Sequence, residues 1–293
     1  MGASYISSII IGCFTASYRE PHCLVYSQIA SLFRRKLLNM KDSSTIKSKF
    51  PPGLSALLEV GVMFLPAIPA YLWLWPNIEG TSAWIANSLS DLYAIAGSLV
   101  IGLRRWSLDE LGVNRKGLWL GLACGLAIVF GRSLVILSVD WNLPPPQLSQ
   151  LRLVGEFVFD FALVGIGQEL LFRGLIYRAF EDWRDTRWAI WGSSICFGFW
   201  HLGGGPLIII TTALYGLIFA LLRWRTGGIL GAILAHGLMD FAGTLLLPST
   251  DVVSLGRPNI AHLSWMVFGL VLIVAPPIYL WLFHPRVKRS FPR

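Results

Sequence analysis

The chain has 293 residues, of which 55% are hydrophobic and only 14% charged, and its mean hydropathy is +0.62. Soluble domains carry about 25% charged residues, so this composition excludes a disordered or fibrous protein and argues against a water-soluble enzyme. A net charge of +8 raises nucleic acid as a partner, but most Lys and Arg sit in gaps between apolar blocks rather than on an aromatic-interleaved polar face, so nucleic-acid binding is not expected.

A bilayer crossing needs about 20 apolar residues. The apolar blocks therefore predict an all-α, polytopic membrane bundle of about eight transmembrane helices, over 56–75, 85–103, 118–137, 153–178, 188–202, 206–222, 229–247 and 263–283. The stretch 1–50 reads as an N-terminal cytoplasmic segment. Its apolar run, 6–14, is too short to span and has no Lys or Arg before it, unlike a signal peptide. A mis-annotated start, with Met40 as the true beginning, is one explanation, and a surface-lying or weakly targeting segment is the other. Residues 51–150 hold the first three helices, 151–283 the half with the chemistry-bearing clusters, and 284–293 a cytoplasmic tail. Pro51-Pro52 and Pro144-Pro145-Pro146 mark turns before spans. Cys13, Cys23, Cys124 and Cys196 show no CxxC spacing, so neither a disulfide framework nor a cysteine zinc site is expected.

Basic residues alternate between gaps. Arg34, Arg35, Lys36, Lys41, Lys47 and Lys49 precede the first span; Arg104, Arg105, Arg115 and Lys116 fill the second gap; Arg184 and Arg187 the fourth; Arg223 and Arg225 the sixth; Arg286, Lys288, Arg289 and Arg293 the tail. The first and fifth gaps have none, the third only Arg152 and the seventh only Arg257. By the positive-inside rule both termini are cytoplasmic, as expected for a multi-pass protein of a bacterial plasma membrane.

Ionisable groups in hydrocarbon are costly and mark interior sites. Three clusters fall inside spans. In Gln168-Glu169-Leu170-Leu171-Phe172-Arg173, the acid and the arginine are four apart and share a helix face, while Gln168 points about 100° away. In Phe197-Gly198-Phe199-Trp200-His201 the imidazole lies one turn after Phe197. In His236-Gly237-Leu238-Met239-Asp240 the i, i+4 spacing lets the aspartate orient the imidazole. Each has a plainer alternative: a span end for the first, a packed histidine for the second, a local helix pair for the third. Arg132 and Asp160 read as a structural ion pair between neighbouring helices. Depth favours a shared site. His201 is 14 residues past Arg187, Asp240 and His236 are 15 and 11 past Arg225, and Gln168 is 10 before Arg178 and 16 before Arg184. At the rise of an α-helix, all four lie roughly 15–24 Å from the cytoplasmic charges.

Two histidines, an aspartate, an acid and an amide suit water activation or metal ligation. There is no HExxH pair and no Gly-x-Ser-x-Gly elbow, which leaves a general base acting on water, with donors for the oxyanion. In order, Gln168-Glu169-x-x-x-Arg173, Phe197-x-x-x-His201 and His236-x-x-x-Asp240 resemble the motifs Glu-Glu-x-x-x-Arg, Phe-x-x-x-His and His-x-x-x-Asn/Asp of the CAAX prenyl protease 2 and bacteriocin-processing (CPBP, or ABI) intramembrane proteases. The resemblance covers about 150–247.

The resemblance implies an intramembrane endopeptidase acting on a membrane-anchored or prenylated protein, with membrane lipids and such a peptide as partners. It implies that the first Glu, helped by His201, activates water; that His236 and Asp240 stabilise or orient; that Glu169 and Arg173 form a supporting pair; and that Phe197 lines the site. Gln168 departs from the pattern, because an amide cannot take a proton from water at neutral pH. The expectation is an inactive or impaired chain, whether engineered, a natural pseudoprotease, or an enzyme using Glu169 instead. The other functional readings are a non-catalytic regulator or immunity protein and, less supported for want of internal repeats, a transporter. No cofactor is expected; zinc on His201 and His236 with Asp240 is the alternative.

Overall fold

Helices follow the apolar blocks. The computed structural model describes residues 50–65, 80–139, 149–246 and 262–283, all within the unit Ser48–Arg293. Among them are eight helices and no strand: α1 (Pro52–Phe64), α2 (Gly80–Leu103), α3 (Leu118–Val139), α4 (150–183), α5 (Thr186–Trp200), α6 (Gly205–Thr226), α7 (Leu230–Leu246) and α8 (Leu263–Leu282). Four of these are long and apolar enough to cross a bilayer, namely α2, α3, α6 and α8, while α1 and α7 are shorter apolar helices. The eight expected spans and the eight helices correspond one to one. The N-terminal segment, the second half of the first span, the Pro144-Pro145-Pro146 run, Arg257 and the tail lie outside the described residues.

The surface is that of a membrane protein. Trp119, Phe130, Leu151, Leu214 and Phe268 are exposed, whereas Asp91, Glu169, Arg173, Arg223 and His236 are buried. Lipid is as apolar as a protein core, so apolar side chains can face outward and the polar ones need partners within.

One end of the bundle is tied together by polar contacts. The Gly53 amide donates to Asp182 Oδ2 at 3.0 Å. Glu59 meets Arg104 at 2.7 Å and also pairs with Arg105. Arg178 lies 3.6 Å from Glu110, Asn114 Nδ2 donates to the Gly227 carbonyl at 3.2 Å, and the Arg225 guanidinium donates to the carbonyls of Leu280 and Trp281. The start of α1, the α2–α3 and α6–α7 loops and the ends of α4 and α8 thus share one face. Consecutive crossings require that arrangement, and these are the gaps that carry the basic residues.

Small residues set the close packing of α3 on α7 and α8. A Cβ at Gly121 would fall on the Gly231 backbone, and one at Gly131 would stand 2.6 Å from the Gly269 carbonyl oxygen. In lipid, such close approach supplies the dispersion contact that drives helix association.

The helix carrying the first polar cluster is not a regular α-helix. Within α4, π-helical segments Phe159–Gly165 and Leu170–Ile176 bracket the single α-turn Ile166–Glu169. Such i→i+5 bulges re-aim side chains and recur at functional sites. Gly167 sits in that turn, where a Cβ would come 3.0 Å from the Asp91 carbonyl oxygen. Glycine there lets α2 and α4 approach closely enough for their polar side chains to meet.

Candidate active site

Glu169 and Arg173 are both fully buried, with Arg173 Nη1 donating to Glu169 Oε1 at 3.1 Å. The same oxygen lies 2.9 Å from His236 Nδ1, and His236 Nε2 lies 3.1 Å from Asp240 Oδ2. A charge chain Asp240–His236–Glu169–Arg173 therefore runs from α7 into α4. Arg173 Nη2 extends it to the Gly216 carbonyl of α6 at 2.9 Å. The aspartate orients the imidazole as its i, i+4 spacing suggested, and the imidazole also reaches across to the other helix.

Aromatic rings enclose this chain. Phe197 is edge-on to His236 at 5.4 Å and to His201 at 4.9 Å, and the Arg173 guanidinium sits 4.4 Å from its centre. Phe219 stacks on His236 at 5.0 Å. Cation–π contact compensates part of the desolvation of a buried arginine.

Gln168 turns the other way. Its Nε2 donates to Asp91 Oδ1 of α2 at 3.3 Å, in a buried contact. Gln168, Asp91 and His201 line a cavity of about 560 Å³, together with Asn87 and Ser90 and the apolar walls Val60, Phe64, Leu171, Phe172, Trp200 and Ile208. His201 sits just past the end of α5 rather than inside a span. Its backbone leaves the helical conformation, at φ −99° and ψ 26°, and its Nδ1 donates to the Phe197 carbonyl at 2.9 Å. Helix ends strand their last carbonyls, and the ring here satisfies one. That bond fixes Nδ1 as the protonated nitrogen and leaves Nε2 as an acceptor. The turn that follows, Leu202–Gly204, is closed by Gly205 at φ +81°, a conformation suited to glycine.

The sequence-level picture of one convergent cluster is therefore divided in two. Gln168 and His201 line the cavity with Asp91, while His236, Asp240, Glu169 and Arg173 form the charge chain, which is buried at Glu169, Arg173 and His236 and partly exposed at Asp240. Phe197 does not line the cavity; it forms the wall between the two histidines. Glu169 does not line it either, and the π-bulges do not bring it there. Arg132 and Asp160 are not paired with each other: Arg132 Nη1 donates to the Met239 carbonyl at 3.2 Å, and Asp160 is buried with Oδ2 lacking a hydrogen bond. Asp91 was missed. It is the only acid in the span 85–103, and with Asn87 and Ser90 it makes a polar i, i+3, i+4 face. The rule that singled out Arg132 and Asp160 would have found it.

A zinc ion shared by the two histidines does not fit this arrangement. Both ring nitrogens of His236 are engaged by carboxylates. Among the described residues no group of three or more His, Cys, Asp or Glu is placed to hold a metal.

Neither the curated proteins nor the solved structures gave a match to this chain. Residues 150–242 match the family model described as type II CAAX prenyl endopeptidase Rce1-like. The matched stretch begins with α4 and ends two residues past Asp240, so it contains all three polar motifs but not Asp91 of α2. Over that stretch, about a third of the chain, the protein is similar to the CAAX-type intramembrane proteases that the model describes, which supports the resemblance to the CPBP family.

Proposed function

We propose that this protein is an intramembrane endopeptidase that hydrolyses a peptide bond near the lipid-modified end of a membrane-anchored or prenylated substrate. The observation that carries this reading is the cavity. Its walls are mostly apolar, and its polar lining is confined to a few side chains, Asn87, Ser90, Asp91, Gln168 and His201, of which Gln168 and Asp91 are in contact. A lipid-bearing peptide needs that division: hydrocarbon contact for the anchor, and acceptors and donors for the scissile amide and its water. The charge chain Asp240–His236–Glu169–Arg173 ties α4 to α7 and polarises the site. In this reading the hydrolysis uses no metal, the termini are cytoplasmic, and the membrane is a bacterial plasma membrane. The amide at position 168 closes the route in which that side chain would deprotonate water. Turnover then rests on the other acceptors that face the cavity.

The test is proteolysis in lipid nanodiscs of a fluorogenic peptide whose cysteine near the C-terminus carries a farnesyl thioether, with products identified by mass spectrometry. Cleavage by this chain or by its Gln168→Glu variant supports an endopeptidase. Absence of cleavage by both overturns it. Tight binding of the peptide without cleavage by either chain would select a non-catalytic regulator or immunity protein.

A further inference from the structure

Three acceptor atoms around the cavity have no donor. Gln168 Oε1 is buried without a hydrogen bond. Asp91 has one hydrogen bond among the described residues, the one its Oδ1 accepts from Gln168, so its second oxygen is free. His201 uses Nδ1 on the Phe197 carbonyl and keeps the lone pair of Nε2. All three residues line the same cavity. Water with two hydrogens to give is the natural complement of such a set.

We infer that Asp91, from the first half of the bundle, is the catalytic base of this protein, hydrogen-bonded to the position where the family pattern has a glutamate. This rests on the endopeptidase reading above. A carboxylate inside a membrane helix is costly to keep, and among the described residues Asp91 has no arginine or lysine partner. Gln168 donates a neutral hydrogen bond to it, which positions the carboxylate while leaving its charge available. An amide and a carboxylate facing each other are the exchanged form of a carboxylate at 168. A glutamate there would instead put two carboxyl groups in contact, and such pairs share one proton.

The step balances with water alone. Asp91 takes one proton from the water as the water oxygen bonds to the scissile carbonyl carbon, and the carbonyl π pair moves onto its oxygen. As that pair returns, the C–N bond breaks, and the proton held by Asp91 passes to the leaving nitrogen. The products are a carboxylic acid, which ionises in solvent, and an amine. His201 Nε2 accepts the second hydrogen of the water and holds it in line.

Exchange of the two side chains tests this on the full chain in nanodiscs, with the same farnesylated peptide. The native chain should cleave it. Asp91→Asn, which keeps size and can still accept from Gln168, should lower kcat by at least about 100-fold, the lower end of what a general base contributes, with little change in KM. Asp91→Asn combined with Gln168→Glu moves the carboxylate to the other member of the hydrogen-bonded pair and should restore kcat to within about tenfold of the native value, a recovery that a purely structural Asp91 would not give. Near-native kcat in Asp91→Asn overturns the inference. So does a native chain that is silent while Gln168→Glu cleaves, a result that leaves the endopeptidase reading intact. Silence of every variant overturns both.

Discussion

Glu169 and His236 are 67 residues apart in sequence, yet their side chains meet at 2.9 Å between Oε1 and Nδ1 inside the bundle. The contact joins α4 to α7 and makes one carboxylate oxygen the acceptor for both Arg173 and His236. A fully buried arginine with this partner removed is an uncompensated charge, which costs about 3–5 kcal/mol. Glu169→Gln should therefore lower the unfolding temperature in detergent markedly. Adding Arg173→Met, which removes the stranded charge, should recover part of the loss. A Glu169→Gln protein that melts with the native one would mean that the charge chain carries no stability.

The helices were legible because membrane spans announce themselves as apolar blocks of fixed minimum length, and their ends because basic residues punctuate them. Periodicity also gave the pair Glu169–Arg173 and the pair His236–Asp240, both local in sequence. The meeting of Glu169 with His236, and of Gln168 with Asp91, was not legible, because contacts between helices depend on which face each turns inward. The π-helical segments of α4 add a rotation that no 3.6-residue count contains. The depth count put the polar groups at one level but could not divide them between a cavity and a charge chain.

The two histidines should separate in their effects. His201 is at a helix end, facing the cavity, with one ring nitrogen free. His201→Ala should lower peptide cleavage by about tenfold, the worth of one hydrogen bond to the attacking water, and leave thermal unfolding in detergent nearly unchanged. His236 is buried between Glu169, Asp240 and two phenylalanine rings. Its replacement by alanine should lower both the unfolding temperature and activity. Equal loss of stability in both variants would contradict the division of the site.

Metal removal should change little. Both nitrogens of His236 are occupied by carboxylates, and among the described residues there is no three-ligand set of the kind catalytic zinc uses. Cleavage after dialysis against a strong chelator should match the untreated rate. Elemental analysis should find well under one zinc per chain. Stoichiometric zinc that is lost in His201→Ala would overturn the metal-free reading.

The orientation of the bundle can be read by labelling single cysteines in intact cells, in a background with the native cysteines replaced by serine. The α2–α3 loop carries Arg104, Arg105, Arg115 and Lys116 and shares its end of the bundle with the α6–α7 loop. A cysteine at Asn114 should be labelled only after permeabilisation, and so should one at Arg184. Labelling of Asn114→Cys from outside by an impermeant maleimide would invert the topology.

Helix packing offers a test independent of the polar site. Gly121 of α3 lies against the Gly231 backbone of α7, so an added methyl has no flexible side chain to displace. Gly155 of α4 has nothing within 4 Å of the same position. Glycine to alanine in a helix interior gains up to about 1 kcal/mol when nothing is met, while forcing a methylene into a packed contact costs about 1–3 kcal/mol. Gly155→Ala should thus unfold at or slightly above the native temperature in detergent, and Gly121→Ala clearly below it. Because α7 carries His236 and Asp240, Gly121→Ala should also reduce peptide cleavage, without touching a residue that lines the cavity. A Gly121→Ala protein as stable and active as the native one would show that α3 and α7 are not held at the distance their glycines allow.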